Sequence, residues 1–386
     1  MSSPDVSVIV TNYNTGPLLG PCLESLFAQQ LDGLRLEVIV VDNASFLDQS
    51  RYLAEAERRG ARVLRETVNH GHGGGCNRGF ATSRGRFVFL INSDVVACRG
   101  SLLPLVRHLA DHPHTAFVEP RTFIDDDRCF MIPEPPLATP REYTLAAAAS
   151  VSGRAAHRFG LRQLRHSLAG WRARAPYAQR QLTGAFLGAR REVFADLRGY
   201  DEGYALYFED TDLFARVRRR GMALVLVPQA QVIHYGHRSV ALIWDEAMRK
   251  SRVGRARYLR LHHGVVGRGW DACLDLMVRA ARRLHSPQPS RCAIDLGEVA
   301  SPPRLELADP GGEYLLELAF EPFFLLSCGW LCTGAGPRLS AATWRSLYPT
   351  IYHLRALDPV TCRTLATWRF AKVGSPTSST ECAGLA

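Results

Sequence analysis

VSVIVTNYN, Val6–Asn14, is a short β-branched apolar run that stops abruptly in polar turn residues. A run of that length and composition reads as a strand buried on both faces, the kind found in parallel sheets. Working outward, a helix is predicted from about Leu18 to Gln30, with Leu19, Cys22, Leu23 and Leu26 on one face. LEVIVVDNAS, Leu36–Ser45, then repeats the strand-and-polar-stop pattern, which makes a βαβ unit. A second helix is expected over about Gln49–Arg59, a third strand in ARVLRET from Ala61, and a fourth in RFVFLINSDV, Arg86–Val95. Strands alternating with helices predict an α/β fold with helices on both faces of the sheet. Ligands of open α/β sheets bind beyond the carboxyl ends of the strands, so Asn12, Asp42 and Asp94 are expected along one edge.

The rest of the chain divides by texture. From about 123 to 180 the alternation gives way to an insertion with small helices of its own, including an alanine run. Apolar order resumes at QLTGAFLGARREVF, Gln181–Phe194, and continues to a strand in ALVLVPQAQVIHYG, Ala223–Gly236. The first domain is therefore placed at 1–240. Basic helical text and the SPQPS linker fill 241–299. After it, apolar and polar residues alternate between Gly, Pro and Asp turns, the pattern of antiparallel strands, so a small β-sandwich is expected at 300–373 and a frayed tail at 374–386. The expected role of that β domain is structural or dimer-forming, and its Trp330, Trp344 and Trp368 are expected in the core.

Composition bounds the function without choosing it. The 386 residues carry a formal net charge of +10, which suits nucleic acid, anionic lipid headgroups or phosphate-bearing substrates. No leader and no bilayer-length apolar run is present in the sequence, so a cytoplasmic protein is expected. The ten cysteines lack paired metal-type spacing and read as reduced thiols.

Three stretches carry chemistry. YFEDTDLFARVRRRG, Tyr207–Gly221, places Glu209, Asp210 and Asp212 ahead of a helix. Acidic residues in a first turn can simply complement the helix dipole; they can also form a catalytic group. VNHGHGGGCNRGF, Val68–Phe80, is either a tight loop into a helix or a nest of backbone N–H groups around a phosphate. INSDV puts Asp94 at the end of an apolar strand, where a carboxylate needs a positive partner. A hard divalent cation holding a nucleotide diphosphate is the natural one, and His234 or His237 at another strand end could complete its shell.

VSVIVTNYN, VVDNAS, the Asn-x-Gly-x-Gly-Gly-Gly-x-Asn-x-Gly segment, INSDV, TGAFLGARREVF and FEDTDLFARVRRRG occur in one order. Together, over about Val6–Arg238, they resemble the inverting family 2 glycosyltransferases, in particular rhamnosyltransferase-like members. The resemblance implies a GT-A-type nucleotide-diphospho-sugar transferase domain, dependent on Mg²⁺ or Mn²⁺, that uses a dTDP- or UDP-sugar donor. It implies that Thr11, Tyr13 and Asp42 hold the nucleoside, and that Asn77, Asn92 and Gly184 belong to the nucleotide-sugar site. Asp94 matches the last residue of the metal motif, whose first position is Asn92 here, and His234 matches a metal-side histidine. Asp210 matches the catalytic base, Glu209 would orient the acceptor, and Asp212 is left to cap the helix.

The acceptor implied is a glycan or a lipid-linked sugar of polysaccharide or cell-wall biosynthesis, and the arginine-rich stretch 248–284 suggests peripheral contact at the inner membrane face. The glycines Gly264, Gly267 and Gly269 predict two short helices there. Two rival readings stand beside this one. A nucleic-acid binder should interleave aromatics with its basic residues, and QLRHSLAGWRARAPYAQR offers only Trp171 and Tyr177, so no nucleic-acid partner is expected. A non-catalytic sugar-nucleotide module would not need both Asp94 and Asp210.

Overall fold

In the computed structural model, residues 3–236, 244–284, 293–308 and 310–374 are described. The elements run β1 (Val6–Asn12), α1 (Gly16–Phe27), β2 (Leu36–Asp42), α2 (Ser50–Arg58), β3 (Arg62–Arg65), α3 (Gly71–Thr82), β4 (Phe87–Asn92), β5 (Val95–Ala97), α4 (Leu102–Asp111) and β6 (Thr115–Phe123). There follow α5 (Pro140–Ala149), α6 (Gly153–Arg172), β7 (Tyr177–Gln179), β8 (Phe186–Arg190), α7 (Arg191–Asp196), α8 (Glu209–Arg219), β9 (Ala223–His234) and α9 (Trp244–Leu284). The chain closes with β10 (Ile294–Val299), β11 (Glu313–Ala319), β12 (Cys328–Thr333), α10 (Ala341–Ser346), β13 (Ile351–Leu357) and β14 (Thr364–Lys372).

Two compact units divide the chain. The first, from 3–121 and 174–268, is built on a sheet of order β3-β2-β1-β4-β8-β6-β9-β5, with β7 beside β9. β3, β2, β1 and β4 are mutually parallel, and β8 then pairs antiparallel with β4. β1 is buried from Val6 to Val10 because both sheet faces are covered. One face meets α1 through Leu19, Cys22, Leu23 and Leu26; the other carries Ile9, Ile39 and Val41 beneath α3. Gly79 makes that second approach possible: a Cβ there would lie 2.3 Å from Ile9 Cγ2. The glycine-rich stretch is thus a helix pressed onto the sheet, with small residues where backbones meet, in place of a loop or an anion nest.

The second unit, from 122–173 and 269–374, departs from the boundaries read in the sequence. The insertion packs with the C-terminal strands, and the described residues of 241–299 are shared between the two units. Its sheet is single, of order β10-β14-β13-β11-β12, with β10 parallel to β14 and the other pairs antiparallel. Helices cover it where the sequence suggested a second sheet. Leu164, Leu168 and Trp171 of α6 lie against Leu315 and Leu357, while Trp344 and Leu347 in and after α10 join Tyr314, Leu316, Leu354 and Phe370 on the other side. Trp368 and Trp344 are core residues; Trp330 is half-buried, edge-on to Phe130. α9 is two helices joined at Gly264, whose φ of 68° is non-helical, whereas Gly267 and Gly269 are accommodated. The linker, the tail beyond 374 and His237 lie outside the described residues.

Candidate active site

Five strand ends and two helix starts in the first unit deliver the site. At the end of β2, Asp42 accepts hydrogen bonds at Oδ1 from Asn12 Nδ2 and Ser45 Oγ, each at 2.7 Å. Its Oδ2 has no protein partner among the described residues. Asn12 Oδ1 accepts from the Thr15 hydroxyl, which lies 2.6 Å from Ser93 Oγ. A continuous buried hydrogen-bonded chain therefore runs from Asp42 to the neighbour of Asp94, fixing the ends of β1, β2 and β4 against one another. Tyr13, beyond β1, sets its ring edge-on to the exposed Phe46. Asn92 is half-buried at the end of β4, and its side chain makes no hydrogen bond among the described residues.

Asp94 and His234 meet because the short β5 turns back to pair with the end of β9, with Val95 opposite His234. His234 Nε2 lies 3.2 Å from Asp94 Oδ1. Burial opposes a charged imidazole here, but the Asp94 carboxylate outweighs it and raises His234 above its ordinary range. No group of three or more His, Cys, Asp or Glu gathers at a metal-binding spacing among the described residues. One carboxylate and one imidazole still fit a hard cation that takes its remaining ligands from a diphosphate and water.

The third cluster surrounds the start of α8. Tyr207 and Phe208 both adopt left-handed backbone, φ 62° and 71°, in residues with bulky side chains. Such conformations cost of order 1–3 kcal/mol each and persist where surrounding structure forces them. Here they turn the chain sharply into α8 and present Glu209 and Asp210 inward. Asp210 Oδ1 accepts from the Tyr200 hydroxyl at 2.6 Å, and a Cβ on Gly184 (φ 84°) would stand 2.2 Å from Oδ2. Glycine is required there on both counts. The turn holding Gly184 is fixed by Glu119 Oε2, which accepts from the Thr183 N–H and hydroxyl at 2.7 and 2.9 Å.

Glu209 is buried, and its Oε2 lacks a hydrogen-bond partner among the described residues. Burial, reinforced by Asp210, pushes its carboxyl up to about 8. Asp210 is also raised, chiefly by burial, with His72 and the Tyr200 hydrogen bond pulling the other way. As a residue, Asp210 is nonetheless only half-buried. One consequence concerns stability. A carboxyl whose folded value lies above its ordinary 4.5 contributes stability that is full below pH 4.5 and lost as pH rises towards 8. Melting temperature without ligand should therefore fall over that window in the wild type, and Glu209→Gln should flatten the fall; identical pH profiles would contradict the assignment.

Two residues were not anticipated from the sequence. His72, in α3, places Nδ1 3.2 Å from Thr11 Oγ1 and Nε2 3.7 Å from Cys76 Sγ. Burial lowers it, while Asp210 and Asp94 both act on it in the opposite sense, so one imidazole lies in the field of both carboxylates. Tyr200 is the donor to Asp210. Only its distance along the chain hid it; the glycines around it were the available signal.

Two expected roles change. Asn77 is spent on the fold, since its Nδ2 donates to Tyr200 O and Glu202 Oε1 and its Oδ1 accepts from Tyr200 N, all at 3.0 Å. It clasps the Tyr200 loop to α3, with both amide atoms engaged. Asp212 is no cap either: Oδ1 lies 2.6 Å from His262 Nε2 and Oδ2 accepts from Arg216 Nε at 2.7 Å. The residue at the N-cap position is Phe208, which has no side chain able to do that work.

Residues 7–162 match the profile of glycosyl transferase family 2. That stretch is similar to family 2 glycosyltransferases; it begins in β1 and includes the parallel part of the mixed, helix-flanked sheet. The chain is 33% identical over 88 residues to rhamnosyltransferase WbbL of Escherichia coli, covering 23% of this chain and 33% of that protein. The N-acetylglucosaminyl-diphospho-decaprenol L-rhamnosyltransferase of Mycobacterium tuberculosis is 33% identical over 105 residues, 27% of this chain and 33% of that one. An uncharacterized Sinorhizobium fredii protein, y4gI, is 28% identical over 264 residues, 67% of this chain and 27% of its own length. The chain thus spans between 27% and 33% of the length of these relatives. Among solved structures, mannosyltransferase PcManGT of Pyrobaculum calidifontis, in complex with GDP-Man and Mn²⁺, superposes with a TM-score of 0.41 at 19% identity, covering 74% of this chain and 79% of that one.

Proposed function

We propose that this protein transfers a sugar, with inversion, from a nucleoside-diphosphate donor to a hydroxyl of a glycan or lipid-linked acceptor, using Asp210 as general base. The observation that carries the reading is the setting of Asp210: partly open, hydrogen-bonded by Tyr200, pressed on Gly184, and sharing the field of His72 with Asp94. Asp42 Oδ2 would accept an N–H of the nucleobase, and Tyr13 would line the nucleoside. Asp94 and His234 would hold Mg²⁺ or Mn²⁺, which when bound offsets negative charge on the donor diphosphate. Asp210 takes the proton of the acceptor hydroxyl as that oxygen attacks the anomeric carbon, and a carboxylate raised above its usual range is the better base. Glu209, protonated at neutral pH, donates from its otherwise unpartnered oxygen to a hydroxyl of donor or acceptor.

Incubation with a panel of dTDP-, UDP- and GDP-sugars and Mn²⁺ tests the reading by thermal stabilisation. One sugar nucleotide should raise the melting temperature in a metal-dependent way; a flat response across the panel would contradict it. Tyr200 gives a finer check. Its hydroxyl favours ionised Asp210, so Tyr200→Phe should lower kcat about ten- to a hundredfold, the worth of a hydrogen bond to a charged group. It should also move the acidic limb of the rate profile to higher pH, with KM for donor unchanged. An unshifted profile would remove Tyr200 from the mechanism.

The same reading places the enzyme at the cytoplasmic face of a membrane when its acceptor is lipid-linked. No helix among the described residues is long and apolar enough to cross one.

A further inference from the structure

The turn that aims Asp210 inward is held from outside the site. Tyr207 and Phe208 carry left-handed backbone, and bulky residues stay in that region only while their surroundings force them to. The part of α9 before Gly264 supplies the force. Its Gly254 backbone lies on the strained pair, since a Cβ there would stand 3.1 Å from Tyr207 O and 3.2 Å from Phe208 Cδ2. One turn further along, the buried Tyr258 ring tilts against Phe208 at 5.9 Å.

Two carboxylates bracket the turn, and α9 seizes both. Asp201 Oδ2 accepts from Arg257 Nε at 3.2 Å and Nη2 at 2.7 Å, and Oδ1 accepts from the same Nη2 at 3.0 Å. The guanidinium fills the space that a side chain on Gly203 would need and lies 5.3 Å from the Tyr204 ring centre. At the other end, His262 Nε2 meets Asp212 Oδ1 at 2.6 Å, with both side chains only 5% exposed. Burial works against the Asp212 charge, yet the His262 hydrogen bond and Arg216 hold it below the ordinary carboxylate range. An ionised carboxylate can only accept, so Nε2 carries the proton. Tyr258 stacks on the imidazole at 4.4 Å and 19°, which fixes the ring. Gly254, Arg257, Tyr258 and His262 recur every three or four residues and so share one helix face.

We propose that this stretch of α9 is a positioning element for sugar transfer, its Arg257–Asp201 and His262–Asp212 latches holding residues 201–212 so that Asp210 stays between Tyr200 and Gly184. The inference rests on the reading of Asp210 as general base. The latch residues act through Asp210 and need no contact with substrate.

Hydrogen exchange and steady-state kinetics on the full chain test it together. His262→Leu removes the donor to Asp212, so amides of residues 200–212 should exchange at least about tenfold faster, the worth of a hydrogen bond to a charged group. kcat should fall about ten- to a hundredfold, since misplacing a reacting group by about an ångström costs that much. KM for the donor should not change, because Asp42 and Tyr13 lie on other loops. His262→Gln, which keeps an N–H donor of similar reach, should restore both exchange and kcat. Should His262→Leu fail to fold, by melting temperature, Arg257→Met carries the same test from the Asp201 end. Wild-type exchange over 200–212 in the folded variant overturns the proposal, as does fast exchange with undiminished kcat, or a loss that the glutamine shares in full. A wild type that transfers no sugar overturns the catalytic reading and this role with it, whereas the exchange comparison alone reports on the latches.

Discussion

Asp210→Asn should bind the sugar-nucleotide donor as tightly as the wild type and transfer sugar about two to four orders of magnitude more slowly. The amide keeps the size and shape of the carboxylate, so Tyr200 and Gly184 still hold it in place. What it loses is the ability to take the acceptor proton. Binding by calorimetry and turnover by release of nucleoside diphosphate separate the two. Turnover near the wild-type rate would hand the role to Glu209, the other carboxyl at the site without a cationic partner; Asp212 is committed to Arg216 and His262.

Asp94→Ala should behave in the opposite manner. If Asp94 ligates the metal as proposed, its removal costs more than the ten- to hundredfold typical of an outer-shell group, so Mn²⁺-dependent affinity for nucleoside diphosphate should fall more than about a hundredfold. The fold should survive, because the buried chain through Asn12, Thr15 and Ser93 ties the strand ends together without the Asp94 side chain. Affinity measured with Mn²⁺ and with chelator decides the matter. Equal values for variant and wild type with Mn²⁺ would remove Asp94 from the donor site.

The two variants also mark what could be read from sequence. The parallel core was legible because β1, β2 and β4 are buried on both faces and so must be continuously apolar. The polar stops at Asn12, Asp42 and Asp94 were legible for the matching reason, since chain leaving such a sheet meets ligand or water. The pairing of Asp94 with His234 rests on β5 folding back along β9, a long-range contact with no local signal. Tyr200 and His72 were hidden differently. Each looks like an ordinary polar or packing residue until α3 and the loop before α8 are brought together by Gly71, Gly73 and the Asn77 clasp.

The second unit shows the limit of periodicity. Alternation along β11 correctly implies a sheet with two distinct faces, yet it does not say what covers each one. Leu315 faces α6, an element from the insertion about 150 residues earlier in the chain, as readily as it would face another strand. Asp212 teaches the same lesson at the scale of one residue. Its place in a first turn suggested a cap, and a histidine from α9 claimed it.

Inversion requires a single displacement at the anomeric carbon, assisted by one base. Proton NMR of the reaction, with the donor that stabilises the protein and water or a simple alcohol as acceptor, reads the configuration of the first sugar formed before it mutarotates. The first sugar formed should be the anomer opposite to that in the donor, appearing in the wild type and lost in Asp210→Asn. A first product with the donor's own configuration would contradict it.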